Sequence, residues 1–145
     1  MSWRALFLAV LAAFLFDGHV FASDSKLPGS AVKLEDAVAK ADAIFIAEVS
    51  VVGFTEGTHD QMGATIKFGD TLFGPTYDSP WGATVFFVLS GAEKVPTSGT
   101  SYIFCVTSHP QSDPQKTVQF TLVKLLAATP ENIAAIKQSV AQRTK

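Results

Sequence analysis

Few side chains in this chain are of a type and spacing that could do chemistry. His59-Asp60 is an adjacent imidazole–carboxylate pair, the kind used in general-base or metal sites. Metal chemistry, however, needs further ligands at set spacing. Neither a second histidine nor a cysteine stands near it in sequence, so an exposed polar loop is expected there, as around His109. Cys105, the single cysteine, lies in Tyr102-Ile103-Phe104-Cys105-Val106. That context is a buried strand, in which a thiol behaves as a small apolar residue rather than a nucleophile. Asp70 falls on the same alternation as Ile66, Phe68 and Leu72, so a regular strand would bury it and raise its pKa. Gly69 before it suggests a bulge that turns the carboxylate outward, which is the expectation adopted. No Gly-x-Ser-x-Gly, His-Glu-x-x-His or phosphate-cradling glycine loop occurs, and no motif calls for a cofactor or metal.

Recognition chemistry is better represented. Tyr77 and Trp81 sit in the Gly- and Pro-containing loop 74–82, and Phe54 ends another apolar stretch before a glycine-bearing loop. Amphipathic aromatics on loops supply contact area at small entropic cost, for a protein or a sugar partner. Trp81 has a second role open to it, folding back to plug the end of a barrel.

The elements that must position these residues begin after a leader. Arg4 precedes a twelve-residue apolar run, Ala5 to Phe16, and Asp17-Gly18-His19 breaks it. The run lies within the about 7–15 residues of a signal-peptide core and is short of the about 20 that span a bilayer. Val20-Phe21-Ala22 offers a cleavage site, so 1–22 is expected to be a removed signal peptide rather than a stable anchor. Export to a periplasm or the extracellular space follows. Residues 23–30 are expected to be a flexible lead-in and 31–145 a single domain.

Within that domain, Leu34, Ala37, Val38 and Ala41 repeat at helical spacing. Five β-rich stretches follow, at about 43–52, 64–73, 83–89, 101–107 and 117–126. Thr129-Pro130-Glu131 then opens a second helix, with a capping hydroxyl, a proline at the first helical position and an acid against the dipole. Five curled strands bury their edges most economically by closing, so the chain is expected to be mainly β: a five-stranded closed barrel with an N-terminal and a C-terminal helix packed against it. The net charge of −2, from 11 basic and 13 acidic residues, excludes counterion-driven nucleic-acid binding. One cysteine excludes an internal disulfide, so packing alone must supply stability.

The helix-to-strand text Leu34-Glu35-Asp36-Ala37-Val38-Ala39-Lys40-Ala41-Asp42-Ala43-Ile44-Phe45-Ile46-Ala47-Glu48-Val49, with Gly99-Thr100-Ser101-Tyr102-Ile103-Phe104 farther on, resembles the netrin-module and metalloproteinase-inhibitor group of OB folds. The resemblance implies an OB-like barrel with flanking helices. The inhibitors of that group bind a protease zinc through an N-terminal cysteine, whereas cleavage here would expose Ser23-Asp24, so their mechanism does not carry over. The function expected is therefore an exported, non-enzymatic module that binds another protein of the envelope or extracellular space. A small-ligand or saccharide binder using the barrel mouth is the alternative, and an enzyme working around Asp70 or His59 the third possibility.

Overall fold

The computed structural model describes residues 26–55, 57, 61–77, 82–109 and 118–144. The expected leader, Trp81, His59 and Asp60 lie outside the described residues. The elements run α1 (Leu34–Lys40), β1 (Ala43–Phe54), β2 (Gln61–Phe73), β3 (Ala83–Val88), β4 (Ser101–Ser108), β5 (Val118–Ala127) and α2 (Pro130–Arg143). The strands close a barrel in the order β1-β2-β3-β5-β4, with β3 and β5 parallel and every other pair antiparallel. This is the expected mainly-β, OB-like barrel with a helix from each end of the domain against it. Among the described residues no helix is long and apolar enough to cross a membrane.

Two apolar layers explain why some strands alternate and others do not. Phe45, Val49, Ile66, Val85, Phe104 and Phe120 fill the barrel interior, all essentially buried. Ile44, Ile103, Cys105 and Leu126 point outward, where Ala37 and Val38 of α1, Ala41 just after it, and Ile136 of α2 cover them. Strands β1 and β4 are thus buried on both sides under the helices, which is why Ala43–Ala47 and Tyr102–Val106 are unbroken apolar runs. Fully burying each large side chain contributes about 1.5–3 kcal/mol, so these paired layers replace the disulfides the chain lacks.

The β2 bulge corrects one expectation and meets another. Phe45 pairs with Thr71 and Ala47 with Phe68, so β2 carries one residue more than β1 over this stretch. Asp70 is exposed there, turned outward as Gly69 suggested. A Cβ on Gly69 would stand 2.9 Å from the Ile46 carbonyl oxygen, so the two backbones approach more closely than a side chain permits. The extra residue also changes faces. Phe68 packs with the interior, but Leu72, expected on the same face, joins the outer layer beneath α2.

The helices are fastened at their ends. Thr129 Oγ1 accepts from the Asn132 N–H at 3.2 Å, with Pro130 opening the helix. At the far end Arg143 donates to the Val38 and Ala41 carbonyls, the latter at 2.8 Å, and its guanidinium lies 4.4 Å from the centre of the Phe73 ring. A cation from α2 therefore meets the negative end of α1.

The stretch read as a lead-in is described from Lys26, and there it is a strap held on both sides. Leu27 and Pro28 are buried. Pro28 accepts from the Leu125 N–H at 3.0 Å, and Lys26 accepts from the Lys94 N–H at 2.6 Å. Glu93 bridges strap and β3–β4 connection, its two carboxylate oxygens accepting from the Gly29 N–H at 2.9 Å and the Ser90 N–H at 3.0 Å. Lys124, 8% exposed, donates to the Val32 carbonyl at 2.8 Å and the Gly29 carbonyl at 3.3 Å. Gly29 has φ +79°, and a Cβ there would fall 2.5 Å from the Val123 carbonyl oxygen, so only glycine lets the strap lie this close to β5.

Candidate functional site

Tyr77 is the one loop aromatic among the sequence candidates whose ring contacts are described, and it is turned inward. Its ring stands 5.0 Å from Phe120 at 84°, 5.5 Å from Phe68 at 18°, and 6.3 Å from Phe45 at 70°. Edge-on and offset-stacked contacts of this kind are favourable for aromatic quadrupoles. Tyr77 thus plugs one end of the barrel, the role sequence reasoning had weighed for Trp81. Burial is the larger cause of a phenol pKa raised above its ordinary value, and the nearby Asp42 carboxylate adds to it. Phe54 is 69% exposed at the last residue of β1. Nine residues separate it from Phe45, ~30 Å along the strand, so the structure does not bring Phe54 and Tyr77 together.

Among the described residues, those with reactive side chains do not assemble a reaction centre. Cys105 is fully buried, and burial pushes its thiol up to about 12, with the Lys124 ammonium pulling weakly the other way. A thiol held protonated in this way is a core residue, as its strand context implied. Asp42 meets Ser108, and His109 is next in the chain, a set of types that invites a triad reading. The geometry refuses it. Asp42 accepts from the Ser108 N–H at 3.1 Å and lies 3.5 Å from the Ser108 hydroxyl, while the His109 ring bonds the Thr121 hydroxyl. The carboxylate meets the serine directly and the imidazole is engaged elsewhere, so no base stands between them. Among the described residues no three of His, Cys, Asp and Glu are grouped so as to hold a metal ion.

Two surface hollows are lined by described residues. One, of about 670 Å³, lies between the β2 bulge and α2, with Asp70 and Lys137 on its walls and Ile46, Leu72 and Ile133 between them. It is wide and open, and nothing in it converges on a single point.

The other begins on the outer face of the β2–β3 pair. Gly63 pairs with Phe86, and a Cβ on Gly63 would touch the Phe86 ring at 3.7 Å. The absent side chain gives that ring no cover from Gly63, and Phe86 is half-buried. Val88, 51% exposed, is the next outward residue on β3, and Val51, 63% exposed, carries the apolar strip onto β1 beside Thr65. On the other side the strip enters a groove of about 390 Å³ bounded by Phe86, Val88, Val123 and the strap residues Pro28, Ala31 and Val32. The groove exists because the β3–β5 pairing ends at Phe86 and Thr121, after which the strands separate and the strap lies across the opening.

Sequence reasoning missed this face. Val85-Phe86-Phe87-Val88 is apolar at every position, so alternation cannot say which residues point out. The available signal was Gly63, read as part of the loop before β2 but lying inside the strand, where a glycine marks a place that something approaches closely. No known family model matches this chain, and no curated protein sequence matches it.

Proposed function

We propose that the chain is an exported, non-enzymatic binding module whose partner is another protein of the envelope or extracellular space. The observation that carries the reading is the uncovered Phe86–Val88 strip running into the strap groove. It combines a half-buried aromatic ring, exposed aliphatics and a concave apolar edge, which is the make-up of the centre of a protein-binding patch. OB-like barrels use this β2–β3 face for extended ligands, oligonucleotides and oligosaccharides among them, so the face is a known place for binding while its apolar make-up favours a protein. The saccharide alternative uses the barrel mouth with Tyr77 and Trp81; the inward packing of the Tyr77 ring favours the β2–β3 face over it. The flanking helices and strand order support placing the chain beside the netrin-module group, as a proposal about descent and not about activity.

The test is capture of envelope and secreted proteins on Ser23–Lys145, compared with a Phe86→Ala/Val88→Glu variant of equal melting temperature. A partner held by the native chain and lost by the variant supports the reading. A partner held equally by both rules out this face.

A further inference from the structure

A separate feature, independent of the β2–β3 face, concerns the far half of β1. Its pairing with β4 covers Ala43 to Glu48, and Val49 closes the seam by exchanging hydrogen bonds with Gly99 and Thr100. Beyond Val49 the strand continues to Phe54, pairing with β2 alone among the described residues. Among the described residues, one edge of an otherwise closed barrel is therefore open over Val52–Phe54.

The backbone there has a definite polarity. The Thr55 N–H donates to the Gln61 carbonyl at 2.8 Å, across to β2. Counting back in twos, Gly53 and Val51 also face β2, so the N–H and C=O groups of Val52 and Phe54 face the open side. A Cβ on Gly53 would meet nothing within 4 Å, and Phe54 is 69% exposed. Natural edges of this kind are blunted by charge or proline. Here Val49-Ser50-Val51-Val52-Gly53-Phe54-Thr55 has neither.

We propose that the chain self-associates through this edge, β1 of one copy pairing antiparallel with β1 of a second about a two-fold axis. The occupant must be a strand, because only a strand satisfies alternating donors and acceptors. A second copy fits because the edge is complementary to itself. With Val52 of one copy opposite Phe54 of the other, both outward residues exchange N–H···O bonds, and the two-fold repeats the pair. In that register Phe54 packs across Val52, Gly53 lies opposite Gly53, and no charge between Val49 and Thr55 opposes the approach. The overall charge of −2 adds little repulsion.

Sedimentation velocity on Ser23–Lys145 from about 5 µM to about 0.5 mM tests the proposal, because a contact this small gives a weak, concentration-dependent dimer. The expected result is dimer at the upper end, abolished by Phe54→Lys with the melting temperature kept, since that side chain lies mostly in solvent. Hydrogen exchange at the Val52 and Phe54 amides is expected to slow on the order of tenfold between the two concentrations. A chain that stays monomeric to about 0.5 mM overturns the proposal. So does a dimer that survives Phe54→Lys with those amides exchanging equally fast at both concentrations.

Discussion

The Tyr77 ring stands edge-on to Phe120, centroids 5.0 Å apart, and so a loop residue becomes part of the barrel interior. Phe45 and Phe68 complete the aromatic group, so the end of the barrel is closed by side chains from β1, β2, β5 and the loop after β2. Tyr77 acts first on stability.

Tyr77→Ala is expected to cost about 2–3 kcal/mol, below the full range for a buried aromatic because the ring is partly exposed. Tyr77→Phe, which keeps the ring contacts, is expected to cost under about 1 kcal/mol. Urea denaturation of the two variants measures both. An alanine variant as stable as the native chain would remove the plug.

Lys124→Met tests the strap. The substitution keeps the apolar stem and removes the donor shared by the Gly29, Ser30 and Val32 carbonyls. Carbonyls left without that donor at a partly buried site cost about 1–3 kcal/mol in all. The strap should also loosen, read as faster hydrogen exchange at the Leu125 amide, which bonds Pro28. Unchanged exchange there would show that Glu93 and Leu27 hold the strap without the lysine.

Cys105 predicts a pH dependence. Burial raises its folded pKa to about 12 from an ordinary 9.0. The folded state therefore keeps a proton that the unfolded state gives up. The stability from the neutral buried thiol is whole below about pH 9 and is lost as pH rises towards 12, by roughly 1.4 kcal/mol per pH unit at most. Cys105→Ala should remove this slope. Denaturation of both chains between pH 8 and the alkaline limit of folding, compared as a difference, isolates the thiol from other groups. Parallel curves would refute the assignment. The native chain should also resist thiol reagents until it unfolds.

How much was legible follows from how local each signal is. Thr129-Pro130 announces α2 because capping and proline geometry act within four residues. Asp70 could be turned outward on the strength of Gly69, since a bulge is also a local event. Leu72 was misplaced because the same bulge shifts the register of everything after it, and that shift becomes definite only against Phe45 and Ala47 on the neighbouring strand. Residues 23–30 looked like a lead-in because Pro28-Gly29 breaks regular structure in any context. The strap's order comes from Glu93 and Lys124, both more than sixty positions away.

By itself the sequence determined the element types, their order and the need to close, because periodicity, capping residues and edge avoidance act along the chain or on its composition. It also determined that packing would replace disulfides. The tertiary structure alone decided which side of each apolar strand meets solvent. That choice is made by strand register, and register depends on residues far apart in sequence: Gly63 against Phe86, Ile44 against Cys105, Phe45 against Thr71. A one-residue difference in any of these pairings would exchange core for surface, which is why Phe86 rather than Phe87 faces out on β3.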